Sequence, residues 1–128
     1  MKLLLDTHTF IWWDSNPGKL SRKALALCED PANIVLLSVA SAWEMQIKTQ
    51  LGKLKLALPL AEIIASQQQA HNVEVLPVSL AHVLSLEELP AHHKDPSDRL
   101  LISQALVEGA TLISHDAIFE QYPINVQW

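Results

Sequence analysis

The 128-residue sequence predicts an α/β domain in which a parallel sheet of four to five strands is covered by helices on both faces. Three observations lead there. Short apolar runs alternate with stretches of helical spacing along the chain. Those runs are continuously apolar rather than alternating, as strands buried on both faces are. Capping and turn-forming residues stand at the joints between the two kinds of segment.

The elements follow in order. Residues 3–6 form a short buried strand, and Phe10-Ile11-Trp12-Trp13 a helical turn that ends near Asn16-Pro17-Gly18. Residues 21–29 have helical spacing and stop before Pro31. Ile34-Val35-Leu36-Leu37-Ser38, apolar and β-branched, is the second strand. A helix over 40–50 is closed by Gly52. Another over 60–70 opens after Pro59, a strand follows over 73–78, and 79–88 is helical. The clearest helix is Pro96–Glu108, with Asp95 as cap, proline in the first turn and Gly109 at the exit. Residues 111–114 make a fourth strand and 124–127 a candidate fifth. No linker, repeat or low-complexity tract divides the chain, so residues 1–128 read as a single domain.

Composition narrows the class. Apolar residues make up 49% of the chain, charged residues 18%, and glycines number three, which is a globular composition without a disordered tail. The longest apolar stretches, such as 34–37 and 100–102, are too short to cross a bilayer. The first apolar run is too short for a signal peptide and meets Asp6 at once, so a cytoplasmic protein with no membrane partner is expected. The single Cys28 excludes an intramolecular disulfide and a cysteine-rich metal site. Nine basic residues stand against 14 acidic ones, a net charge of −5, which is not the balance of a general nucleic-acid binder.

Four of those acids, Asp6, Glu44, Asp98 and Asp116, fall where a strand ends or a helix begins. In an alternating strand–helix fold these places lie along one edge of the sheet, the edge where ligands bind. Each acid also has a local explanation. Asp6 and Asp116 can cap the turns that follow them. Ser41-Ala42-Trp43-Glu44 matches a capping box, and Asp98 suits the dipole of a first helical turn. Asp95, immediately before Pro96, is the natural cap of its helix. Four acids converging on one edge nevertheless point to a site for Mg²⁺ or Mn²⁺, hard cations that prefer carboxylate oxygens. Two such ions about 4 Å apart activate a water and stabilise the leaving oxygen in phosphodiester cleavage. Such metals would locally cancel the negative charge, so a phosphate substrate is compatible with it. The adjacent His92 and His93 have diverging side chains and read as a solvated loop pair; His8 is the histidine near enough to Asp6 to contribute.

The ordered blocks Asp6-Thr7-His8 leading into Ile11-Trp12-Trp13, Ser38-Val39-Ala40-Ser41-Ala42-Trp43-Glu44, Asp95-Pro96-Ser97-Asp98-Arg99-Leu100-Leu101-Ile102 and Leu112-Ile113-Ser114-His115-Asp116 resemble the PIN-domain ribonucleases. The resemblance spans nearly the whole chain, and its nearest branch is the VapC-type toxins of toxin–antitoxin modules. It implies a three-layer α/β/α fold and Mg²⁺- or Mn²⁺-dependent cleavage of RNA by Asp6, Glu44, Asp98 and Asp116. Asp6 and Asp98 would be the most direct ligands, and Ser114 a hydroxyl that orients the attacking water. It also implies a small antitoxin as partner and a homodimer. Ser97 departs from the pattern, since many relatives carry a bulky aromatic there. Phe10, Trp12 and Trp13 either stack on RNA bases or a partner, or pack on the sheet, as is expected of at least two of them. Lys48, Lys53, Lys55, Lys94 and Arg99 are the best candidates for phosphate contact, though each taken alone reads better as a solvated surface charge.

Rival classes fit less well. An aspartyl phosphotransferase needs a second acid at position 8, where this chain has His8. A receiver domain needs an acceptor aspartate ending its third strand, and 73–78 supplies none. A dinucleotide enzyme needs a glycine-rich turn after the first strand. A catalytically inactive PIN-like binding or regulatory module remains the alternative, and the completeness of the acid set speaks against it.

Overall fold

The computed structural model describes residues 1–91 and 95–128, so His92, His93 and Lys94 lie outside the described residues. Strands Lys2–Leu5 (β1), Ile34–Ser38 (β2), Glu74–Leu76 (β3), Thr111–Ile113 (β4) and Val126–Gln127 (β5) form one sheet in the order β3-β2-β1-β4-β5. Every neighbouring pair is parallel. The helices are Thr7–Ser15 (α1), Arg22–Glu29 (α2), Val39–Gln50 (α3), Leu60–His71 (α4), Leu80–Ser85 (α5) and Pro96–Glu108 (α6).

Alternation along the central strand separates two cores. Leu3 and Leu5 point to one face and pack with Phe10, Trp13, Ala24, Met45 and Ile63 from α1 to α4. Leu4 points to the other and packs with Leu101, Ile102 and Ala105 of α6 and with Phe119 and Tyr122. All three leucines are fully buried, each stabilising the fold by about 2 kcal/mol. The result is the expected three-layer α/β/α arrangement, with five strands.

Several boundaries differ from the sequence expectation for physical reasons. The first helix starts at Thr7, well before the turn expected around Phe10, because Asp6 Oδ1 accepts the Thr9 amide at 2.7 Å and caps it. The third helix starts at Val39 with Ser38 as its cap. Ser41 is therefore inside the helix, and the capping box read for Ser41 and Glu44 does not form. The strand expected over 73–78 shrinks to three residues; Pro77, lacking an amide hydrogen, cannot extend it as a donor. Residues 79–88 divide into α5 and a 3₁₀ turn, Leu86–Glu88. The last helix has the expected bounds and leaves through Gly109 at φ 62°.

From β1 the chain moves outward through β2 to β3, then returns to place β4 on the other side of β1. The direction of winding thus reverses between β1 and β4. Asp6 directly follows one of these strands and Ser114 the other.

Candidate active site at the carboxyl edge of the sheet

Asp6 is the most enclosed of the acids, 6% exposed. While Oδ1 caps α1, Oδ2 accepts the Ser114 hydroxyl at 2.5 Å. The same Ser114 oxygen accepts the Asp116 amide at 3.1 Å, and Asp116 Oδ1 accepts the Ile118 amide at 3.0 Å to open a 3₁₀ turn. Ser114 therefore ties Asp6 and Asp116 together across the switch point. Among the described residues no basic side chain pairs with Asp6. A carboxylate buried without a counter-ion is costly unless hydrogen bonds or a cation compensate it, and here only two hydrogen bonds do. Asp6 and Asp116, with His8, Trp12, His115 and Ala117, line a hollow of about 410 Å³.

Glu44 belongs to a second group. Its Oε1 accepts the Thr7 hydroxyl at 3.0 Å and stands 3.0 Å from Ser97 Oγ. Its Oε2 pairs with Lys48 Nζ at 2.6 Å, one helical turn on. Ser97 Oγ is also 2.8 Å from Asp95 Oδ1, and the same Asp95 oxygen accepts the Ser97 and Asp98 amides, so Asp95 caps α6 as read from the sequence. Glu44, Lys48, Asp95 and Ser97 surround a smaller hollow of about 220 Å³. The bond to Glu44 holds the Lys48 ammonium above its ordinary range, and the nearby charges of Glu44, Asp95 and Asp98 add to that. Asp98 is the third residue of α6, half-buried.

The four acids thus reach the same edge of the sheet but stand as two groups. Asp6 and Asp116 meet through Ser114; Glu44 lies with Asp95 and Ser97, near enough to Asp98 for both to act on Lys48. Thr7, the neighbour of Asp6, is the bridge. Among the described residues no three His, Cys, Asp or Glu side chains stand close enough to hold one ion. The donor chemistry, oxygens throughout with a buried carboxylate that has no counter-ion, fits a hard divalent cation; a shared ion requires the two groups to draw together.

The remaining candidates divide cleanly. Phe10 and Trp13 are core residues, 1% and 4% exposed, as expected of two of the three aromatics, whereas half-buried Trp12 faces the hollow. Arg99 donates to the carbonyls of Pro90 and Leu86, which ties those residues to α6. Lys53 and Lys55 are exposed. Sequence reasoning missed Thr7 and the bridging part of Ser97, because a lone hydroxyl carries no sequence signal. It also missed His115 and Trp128: Trp128 meets both His115 and Trp12 because β4 lies beside β1 and β5 beside β4. A further hollow of about 230 Å³, beside Trp13, Cys28 and His71, includes none of these acids.

A parallel three-layer domain with acids gathered at its switch point defines an α/β fold of the kind found in nucleases. The PIN domain model matches residues 3–125, and the chain belongs to that family. It is similar to Ribonuclease VapC22 of Mycobacterium tuberculosis (strain ATCC 25618 / H37Rv), with 27% identity over 115 residues, 89% of this chain and 86% of that protein. Its fold is similar to that in the crystal structure of VapBC2 from Rickettsia felis bound to a DNA fragment from their promoter (TM-score 0.75, 19% identity, 99% of this chain and 98% of that one). It is likewise similar to VapBC-1 from nontypeable Haemophilus influenzae (TM-score 0.70, 19% identity, 99% and 97% covered). Among the described residues no helix is long and apolar enough to cross a membrane.

Proposed function

We propose that this chain is a Mg²⁺- or Mn²⁺-dependent endoribonuclease and the toxin of a toxin–antitoxin module, acting in the cytoplasm. The observation that carries this is Asp6: a buried carboxylate without a counter-ion, at the switch point of a PIN-domain sheet and tied through Ser114 to Asp116. A relative named as a ribonuclease VapC, and VapBC assemblies of the same fold, support the substrate class and a small antitoxin as partner.

Asp6, Glu44, Asp98 and Asp116 would hold the metal, which when bound supplies an activated water and positive charge at the departing oxygen. The protein's own residues prepare for this. The Thr9 amide and Ser114 hydroxyl fix both Asp6 oxygens, so the carboxylate needs little reorganisation. With its hydroxyl hydrogen given to Asp6, Ser114 is a positioning residue rather than the orienter of water inferred from the resemblance. Thr7 and Ser97 fix Glu44 Oε1, and Lys48 holds Oε2. A homodimer fits the exposed stripe Val39, Trp43, Ile47 and Leu51, spaced four apart on and just beyond α3.

One observation favours the alternative of a catalytically inactive module: Lys48 already supplies Glu44 with a positive charge. The two readings separate in one experiment. Purified protein is expected to cut RNA with Mg²⁺ and to stop with EDTA, and Asp6→Asn and Asp98→Asn are expected to lose the activity. Variants that cut as fast as the parent would remove the site assignment; a parent that cuts no RNA would leave the inactive module.

A further inference from the structure

Three rings, His8, Trp12 and His115, line the hollow that holds Asp6 and Asp116, and Trp128 links Trp12 to His115. His8 and Trp12 lie 5.9 Å apart between centroids, Trp12 and Trp128 6.0 Å apart and edge-on, and Trp128 and His115 5.3 Å apart. Lys19 Nζ stands 5.5 Å from the centre of the Trp12 ring. His8 and His115 are exposed, and the two tryptophans are half-buried. Among the described residues neither imidazole makes a hydrogen bond or ion pair. Trp12 and Trp128 also pack against the core that holds Phe10 and Trp13, whereas His8 and His115 are exposed and take no part in it.

We propose that His8 and His115, braced by Trp12 and Trp128, form a platform for a nucleobase of single-stranded RNA beside the phosphate held at the acids. Every base presents a flat π-face, and stacking on protein rings adds affinity with little sequence demand. A hollow of about 410 Å³ admits a base, and Lys19 adds a positive charge to a wall that otherwise meets two carboxylates. A phosphodiester drawn to the metal that Asp6 and Asp116 would hold presents its flanking base to these rings. The inference rests on the nuclease reading above and specifies how its substrate is held.

The test has two arms. In the first, single-stranded RNA cleavage is compared for the parent, His8→Ala/His115→Ala and His8→Phe/His115→Phe, with melting curves to confirm folding. The alanine pair is expected to raise KM roughly tenfold with little change in kcat, and the phenylalanine pair to restore KM, because a phenyl ring stacks as an imidazole does. An alanine pair with unchanged KM, or a phenylalanine pair that fails to restore it, overturns the platform. In the second arm a single-stranded RNA oligonucleotide is added to Asp98→Asn protein in Mg²⁺ and tryptophan emission is followed, with Trp12→Phe and Trp128→Phe to assign the signal. Quenching carried by these two residues and weakened by the alanine pair supports the platform. Emission that ignores RNA, or answers only to a protein partner, overturns it. A parent that binds RNA through the rings but does not cut it would sink the nuclease reading and leave the platform standing.

Discussion

Ser114 and Asp6, 108 positions apart in sequence, share a 2.5 Å hydrogen bond inside the protein, and the same serine oxygen receives the amide of Asp116. Ser114→Ala removes the hydroxyl that compensates a buried carboxylate and the acceptor that fixes the turn after β4. A loss of roughly 2 kcal/mol is expected, visible as a melting temperature several degrees lower. RNA cleavage should slow as well, since Asp6 is left free to turn. A variant as stable and as active as the parent would make the bond incidental.

Metal binding should appear without any turnover. Mg²⁺ at 100 times its dissociation constant stabilises a protein by about 2.7 kcal/mol if it binds only the folded state. The parent's melting temperature is therefore expected to rise with Mg²⁺ and return with EDTA, while Asp6→Asn and Asp98→Asn respond weakly. Asparagine keeps the cap on α1, so Asp6→Asn should fold normally in EDTA. Equal metal responses in all three proteins would move the ion elsewhere.

His82 and Glu108 predict an acid-side dependence. His82 is 2% exposed; its Nδ1 accepts the Ser79 amide at 2.9 Å, so Nε2 carries the hydrogen that Glu108 receives, also at 2.9 Å. That bond first, with the charge of Lys2 adding to it, holds the Glu108 carboxyl below its usual range. A lowered folded-state value stabilises above the unfolded pKa and is lost as pH falls through the folded one. The melting-temperature gap between parent and Glu108→Gln should thus be largest near neutral pH and narrow below about pH 4.5. A gap constant down to pH 3 would contradict the pairing.

Cys28 should be inert until the protein unfolds. Burial, and secondarily the charge of Glu29, push its thiol up to about 12. The folded protein is expected to react slowly with a disulfide reagent at pH 8 and to become rapidly reactive in guanidinium. Because the unfolded thiol ionises first, this group lowers stability as pH rises from about 9 towards 12. Fast labelling of the native protein would show that the hollow beside Trp13 and His71 admits the reagent.

The sequence by itself determined the kinds of segment, their order and the edge at which the acids gather. Continuous apolar runs such as 34–37 require burial on both faces, and Asp95-Pro96 with Gly109 marks α6 at both ends, because these are local properties of backbone and solvent. Local chemistry also made Asp6 and Asp116 caps as well as candidate ligands, a double role that no single segment can resolve. Tertiary structure alone decided the partners. The place of β4 beside β1 joins Ser114 to Asp6, α6 against α3 brings Ser97 to Glu44, and β5 carries Trp128 to Trp12 and His115. Each contact spans many positions in the chain, so it exists only once the sheet has set its strand order; hydroxyls and rings carry no mark of their future neighbours.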